Sequence, residues 1–282
     1  MARPDPIEFA RLKLVESVRG AFNDASRGEK PVPPSDEAYF APDTPIRMVH
    51  ADLTSMMIGG MSALLLQMLH PHALQGVLDF SNFRADMHGR LRNTARFIAV
   101  TTYGHRDDAD AAIARVNRIH AQVKGELPDG TLYSATNPRT LAWVHVTEAL
   151  MFLEAWLVHV KPDMKLAEQD EYFRQFALIA RKLGADPVPE TKAEAQTMLR
   201  EMRGDLKATP AAREVAELVL KHRPQGPARS VQPFLATAAV DLLPPFARTM
   251  LGLEAPGFSR LPSRIVTGAM GNTLRWAFRQ KP

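Results

Sequence analysis

Apolar residues recur along most of the chain at spacings of three and four, the period of an α-helix with one buried face. Clean alternation of apolar and polar residues never extends beyond about four positions, so no strand is predicted. The pattern therefore predicts an all-α protein of roughly ten helices, packed as one domain over residues 1–282.

Prolines, glycines and capping residues set the predicted helix boundaries. The predicted helices cover 1–28, Met56–Leu69, Pro71–Phe80, Met87–Tyr103, Ala109–Lys124, Pro138–Val160, Glu168–Leu183, Thr191–Asp205, Ala211–His222, Val231–Leu242, Pro245–Leu251 and Pro262–Phe278. Asp52 or Thr54 is expected to cap the second of these helices, and Asp107 or Asp108 the fifth. The segment 126–137 is predicted to be a loop.

The longest apolar run is MMIGGMSALLLQML, from Met56 to Leu69. A transmembrane helix needs about 20 apolar residues, and this run is shorter. We therefore predict a buried core helix in a protein that does not cross a membrane. Gly59 and Gly60 are expected to let a second helix approach closely.

Composition removes several classes of function. The 282 residues are 45% hydrophobic and 23% charged, which is typical of a globular protein. The net charge of +4 is scattered along the chain, so nucleic-acid binding is not predicted. The absence of cysteine excludes disulfides, iron–sulfur clusters, thiolate zinc sites and a cysteine-ligated haem. The N-terminal segment MARPDPIEFARLK lacks the apolar core of a signal peptide, so a cytoplasmic protein is expected. Whether the protein forms a homo-oligomer is left open by the sequence.

Common catalytic motifs are also missing from the sequence. It has neither a glycine-rich dinucleotide or phosphate loop nor an H-E-x-x-H pair nor a G-x-S-x-G elbow. None of its nine histidines follows a glutamate by three residues, as a ferritin-like di-iron site requires.

The strongest single candidate for chemistry is His120. Ile113, Val116, His120 and Val123 share the predicted apolar face of one helix. An imidazole there needs a partner, because an unpaired buried polar group costs roughly 1–3 kcal/mol. The spacing leaves two interpretations open: a hydrogen-bonded core histidine or a metal ligand.

A second candidate is the pair Arg90 and Thr94, four residues apart on one helix face, with Phe97 continuing the same side. An arginine and a hydroxyl beside an apolar wall could orient an oxygen ligand or a carboxylate. Alternatively, the arginine pairs with an acid such as Asp86 and the threonine bonds back to its own helix.

The remaining candidates are histidines near helix junctions or in the most apolar helix. His145 and Glu148 are three apart in LAWVHVTEALMFLEAWLV and could form a buried pair or contribute a metal ligand. His70 and His72 flank Pro71, where each could bond backbone groups or act as a ligand.

Five segments in order resemble the MpaB family. They are GGMSALLLQMLHPHALQGV, SNF, GRLRNTARFIAVTTYG, VNRIHAQVKG and YSATNPRTLAWVHVT. This family contains the fungal mycophenolate-pathway oxygenase MpaB and the catalytic domain of the latex-clearing rubber oxygenases. The similar region covers residues 48–204, a haem-binding core, and leaves 205–282 as a C-terminal helical extension.

The resemblance implies a globin-like helical core that binds haem b through one proximal histidine. The V-x-x-x-H-x-x-V pattern assigns the iron ligand to His120, and the R-x-x-x-T pattern places Arg90 and Thr94 on the distal, catalytic side. The W-V-H histidine, His145, is expected near the haem. Phe97 is expected in the apolar wall, and Arg92, Arg84 or Arg96 at the propionates.

One departure from the family concerns a glutamate. Rubber oxygenases carry a proposed catalytic base on the helix before R-x-x-x-T, whereas Pro71–Phe80 offers Gln75 and Asp79 and no glutamate. This departure argues against rubber cleavage. The rubber enzymes are also secreted, whereas no export signal is predicted here, so the expected substrate is an apolar small molecule inside the cell.

Three functions follow as hypotheses. The first is a haem-b oxygenase of an apolar small molecule that uses dioxygen. The second is a non-catalytic haem carrier or sensor, in which His145 or His70 fills the sixth iron position. The third is a helical ligand-binding protein that has lost haem.

Overall fold

The computed structural model of the chain describes residues 30–81, 86–221 and 228–253, together with 268, 269, 271–273 and 276. The helix predicted for residues 1–28 lies outside these ranges, as do most positions of the helix predicted at Pro262–Phe278.

Within the described ranges helices dominate and the only sheet has two short strands, which confirms the all-α prediction. The elements are α1 (Pro45–Ala51), α2 (Leu53–Gln67), α3 (Pro71–Phe80), α4 (Met87–Tyr103), α5 (Arg106–His120), β1 (Lys124–Glu126), β2 (Leu132–Ser134), α6 (Pro138–His159), α7 (Leu166–Lys182), α8 (Lys192–Glu201), α9 (Pro210–Lys221), α10 (Ala228–Leu242) and α11 (Pro245–Leu251). A short 3₁₀ turn, Met202–Asp205, follows α8.

The centre of the fold is the pair α2 and α6, which pack along most of their length. Gly59 permits this contact, because a Cβ atom there would lie 2.7 Å from the carbonyl oxygen of Met151 and 2.9 Å from Cα of Phe152. A Cβ atom at Gly60 would meet only the Phe152 ring, at 3.6 Å. The predicted close packing therefore depends on the first glycine of the pair.

Capping residues fix most helix starts as the sequence predicts. The Asp52 side chain accepts the Ser55 N–H at the start of α2, and Asn137 accepts the Thr140 N–H at the start of α6. Pro71 occupies the first turn of α3.

Helix α5 differs from the prediction at both ends. Its N-cap is His105, whose Nδ1 accepts the Asp107 N–H at 3.1 Å, so neither Asp107 nor Asp108 caps it. The helix ends at His120 and not at Lys124, because the Val123 N–H returns to the His120 carbonyl oxygen at 3.0 Å and the chain enters a strand. His120 is consequently the last residue of its helix.

The predicted loop 126–137 is wrong in part, since it contains an antiparallel hairpin. β1 pairs with β2 with Gly125 opposite Tyr133, around a turn at Pro128–Gly130. Each strand has three residues, which is too short for an alternating pattern to be recognised. The hairpin is held to α3 by Tyr133, whose hydroxyl donates to Asp79 at 2.6 Å.

Helix α1 is absent from the sequence prediction. It begins with Thr44 as N-cap and Pro45 in its first turn, a pair of signals that mark a helix start. Its seven residues carry too little periodicity to predict a helix by apolar spacing alone.

Among the described helices, α6 by itself is long and apolar enough to cross a membrane, and 61% of its apolar window is buried inside the protein. Helices α1 and α2 pass the same test when taken together, but they meet at 92°. Both features are also found in the core helices of globular proteins.

Candidate functional site

Helices α4 and α5 pack firmly against each other but make little contact with the central helix α6. Even so, polar side chains from α4, α5, α6 and α7 act on one another electrostatically. We call these side chains the polar cluster: Arg90, His120, His145, Glu148 and Tyr172. Three of its members, Arg90, His120 and His145, are predicted site residues that the structure brings together.

His120 enters the cluster from the end of α5, where it is half-buried. Its Nδ1 is buried and has no hydrogen-bond partner among the described residues. Burial, and then the charge of Arg90, lower the pKa of His120 below its ordinary value of 6.5. At neutral pH the imidazole is therefore uncharged, which is the form that binds metal ions.

Arg90 faces His120 and Glu148 from α4. Burial lowers the pKa of Arg90 and the nearby Glu148 raises it, but an arginine keeps its charge at neutral pH. The alternative of a pair with Asp86 is wrong, because Asp86 caps α4 by accepting the Gly89 N–H at 2.8 Å. Within the described ranges, no carboxylate lies within ion-pairing distance of the guanidinium.

Thr94 follows Arg90 by one turn but is exposed. Its hydroxyl donates to the Arg90 carbonyl oxygen at 3.2 Å. The structure thus shows the alternative in which this threonine bonds back to its own helix.

His145 and Glu148 approach each other on α6 without forming an ion pair. Nδ1 of His145 is 4.0 Å from the Glu148 carboxylate, too far for a hydrogen bond. Burial, followed by the charge of His120, lowers the pKa of His145 to about 4, so this histidine is neutral near pH 7. Burial raises the pKa of Glu148 to about 7, and the charge of Arg90 opposes that shift.

Tyr172, a member of the polar cluster, and His50, which lies beside it, carry no signal in the sequence analysis. Tyr172 of α7 is fully buried, and its hydroxyl has no partner within the described part of the chain. Burial and the charge of Glu148 raise its pKa far above the usual range. Tyr172 lies against His50 of α1 with ring centres 5.9 Å apart, and burial lowers the pKa of His50 to about 3. His50 lies on α1, a helix that apolar spacing does not predict. The Thr44–Pro45 helix start is the sequence signal that indicates this helix.

The other predicted cofactor contacts are dispersed. Phe97 is half-buried at the edge of the core, as an apolar wall requires. Arg92 follows Arg90 by two residues, a turn of about 200°, so it lies on the opposite side of α4. Arg96 donates to the Lys30 carbonyl oxygen at 2.9 Å, and Arg84 is outside the described residues.

His70 and His72 lie away from the polar cluster. The His70 ring packs 5.3 Å from that of His72 and 6.4 Å from that of Trp143. Trp143 and His145 are two positions apart on α6, which separates them by about 200° around the helix. His70 is therefore on the far side of α6 from His145 and does not join the cluster.

The helix before R-x-x-x-T offers no free acid to the cluster. Asp79 of α3 accepts hydrogen bonds from Tyr133 at 2.6 Å and from Gln75 at 2.8 Å. In the described part of the chain, no three histidine or acidic side chains converge as a metal-binding group.

The chain matches a family model described as ER-bound oxygenase mpaB/B'/Rubber oxygenase, catalytic domain, over residues 47–276. The match runs from within α1 through α11 and so extends past Gly204, where the motif resemblance ends. No curated protein and no solved structure matches the chain.

Proposed function

The chain belongs to the family of the MpaB oxygenases and the rubber oxygenase catalytic domain, and on this premise we propose that it is a haem-b oxygenase of an apolar small molecule. The family makes it an oxygenase catalytic domain, for which dioxygen and a small molecule are the expected substrates. The proposal adds the cofactor, its ligand and the residue that assists oxygen chemistry.

His120 is the proposed iron ligand. A haem iron needs a single protein nitrogen on its proximal side, so the absence of a three-residue metal group from the described ranges does not conflict with it. His120 offers an uncharged imidazole at the end of a helix, with a buried nitrogen that has no partner within those ranges. When bound, haem supplies the iron that activates dioxygen.

The observation that carries the proposal is the burial of Arg90 close enough to His120 for its charge to act on the imidazole. Its guanidinium is charged and largely desolvated, and it faces the neutral His120. A buried cation that has no carboxylate at ion-pairing distance among the described residues stabilises negative charge far more strongly than the same cation in water. Arg90 would therefore donate hydrogen bonds to an oxygen atom on which negative charge develops.

The wall of α4 supports an apolar substrate. Leu91, Phe97 and Ile98 are half-buried and border the main hydrophobic core. Apolar side chains around a few polar groups are typical of a pocket that excludes water and binds an apolar ligand.

Replacement of Arg90 tests this role. We expect Arg90→Gln to lower substrate-dependent oxygen uptake by about 10²- to 10³-fold, the usual effect of removing one charge-stabilising donor. Haem content per chain should stay at the wild-type level, because the arginine is not the iron ligand. The matched control is Arg118→Gln, an exposed arginine of α5, which should retain wild-type oxygen uptake. Equal turnover in wild type and Arg90→Gln at equal haem content would rule out this role of Arg90.

A further inference from the structure

Glu148 is a carboxylate in an unusual position. It lies on α6, one turn after His145, and its side chain is only 17% exposed. Acidic side chains are rarely buried unless they are paired. Among the described residues no donor reaches hydrogen-bonding distance of its carboxyl group, and Nδ1 of His145 lies 4.0 Å away.

The groups around Glu148 explain how a proton stays on it. Arg90 from α4 is the cation that acts on it, while His120 from α5 and His145 from α6 are neutral at pH 7. Tyr172 from α7 and His50 from α1 are uncharged at that pH. Helix α2 has no titratable residue, and Lys192 at the start of α8 pairs instead with Glu154 at 2.8 Å. Burial therefore favours the neutral carboxyl group of Glu148, and the charge of Arg90 favours its carboxylate form.

We propose that Glu148 is the acid–base residue of the polar cluster, alternating between a neutral carboxyl group and a carboxylate that faces Arg90. In the forward step the O–H bond of the carboxyl group breaks, and its proton passes to an oxygen atom of the ligand bound at the polar cluster. The negative charge left on Glu148 is stabilised by Arg90, and a proton from water restores the carboxyl group. The nature of the proton acceptor rests on the proposed oxygenase function, whereas the proton on Glu148 does not.

The geometry distinguishes this role from a structural one. Glu154, six residues further along the same helix, has the contacts of a structural acid, because Lys192 neutralises it. Glu148 is mostly buried without a hydrogen-bond partner among the described residues, and the charge of Arg90 acts both on it and on the proposed iron ligand, His120. A pKa of about 7 allows it both to give and to accept a proton near neutral pH.

The first test measures the proton directly, by infrared difference spectroscopy of the full-length protein as purified. The carbonyl stretch of a protonated carboxyl group should titrate near pH 7, disappear in Glu148→Gln and persist in the matched control Glu154→Gln. The proposal would be overturned if the band persists in Glu148→Gln, or if it titrates only in the ordinary range of glutamate. Because haem is not needed, this result stands even if the proposed function fails.

The second test uses the haem-loaded protein. Glu148→Gln should lower kcat by about 10²-fold or more and remove the pH dependence near neutrality, and Glu148→Asp should restore part of both. Haem content and the melting temperature should match wild type, since Gln has the same shape as Glu. A wild-type pH profile in Glu148→Gln would overturn the proposal, whereas a chain that binds no haem would instead contradict the oxygenase function.

Discussion

At the scale of single residues, the polar cluster stands out by what its atoms lack. The buried Nδ1 atoms of His120 and His145 and the hydroxyl of Tyr172 have no partner among the described residues. Each such atom costs roughly 1–3 kcal/mol of folding free energy. These three atoms lie on α5, α6 and α7, and under the proposed function a bound ligand would supply partners for them.

Two tyrosines allow this cost to be measured. Tyr172→Phe removes a buried hydroxyl without a partner, so we expect the free energy of unfolding to rise by about 1 kcal/mol. Tyr133→Phe removes a hydroxyl that donates to Asp79 at 2.6 Å, and should lower the free energy of unfolding by about 1 kcal/mol. Urea denaturation of the two variants beside wild type measures both changes. Equal destabilisation of both would show that the Tyr172 hydroxyl is satisfied in the folded protein.

At the scale of helices and strands, local signals predicted the long elements and missed the short ones. Met87–Tyr103 agrees with α4 at both ends, because Asp86 and Gly104 mark them chemically. The hairpin after His120 depends on the contact between Tyr133 and α3, which is distant in sequence and leaves no local pattern. For the same reason the sequence predicts the end of α5 at Lys124, whereas the helix ends at His120.

The residues of the candidate site were likewise predictable only in part from the sequence. Helix periodicity identified His120, Arg90 and His145 as inward-facing candidates, and the structure brings them together. It could not identify Tyr172 as their neighbour, because that depends on how α7 packs on α6. The role predicted for Arg92 at the propionates stays a prediction, since its position two residues after Arg90 places it on another side of α4.

The contact between α2 and α6 gives a prediction at this scale. Gly59→Ala places a Cβ atom 2.7 Å from a backbone oxygen of α6, which cannot be relieved by rotating a side chain. We expect a loss of about 2 kcal/mol in the free energy of unfolding. Gly60→Ala meets only the Phe152 ring at 3.6 Å and should gain about 0.5–1 kcal/mol from helix propensity. Thermal or urea unfolding separates the two variants; similar stability would mean that the helices can move apart freely.

At the scale of the whole molecule, the central helices form one packed core and α4 and α5 form a pair beside it. α2, α6 and the helices that cover them form the core, while α4 and α5 contact each other and stay apart from α6. The family match includes α9 to α11, although the motifs end before them. Their buried faces consist of interchangeable apolar residues such as Ala212, Val215 and Val219, which fix packing without leaving a recognisable motif.

The central claim is that His120 binds a haem iron in this arrangement, and a cavity variant tests it most directly. We express wild type, His120→Gly and His105→Asn under haem-replete conditions and record absorption spectra with iron content. His105 caps the opposite end of α5, and asparagine keeps a capping side chain. Wild type and His105→Asn should show one haem per chain, whereas His120→Gly should lose the bound haem and regain it when imidazole is added. Unchanged haem content and spectrum in His120→Gly, or no haem in the wild type, would contradict the account.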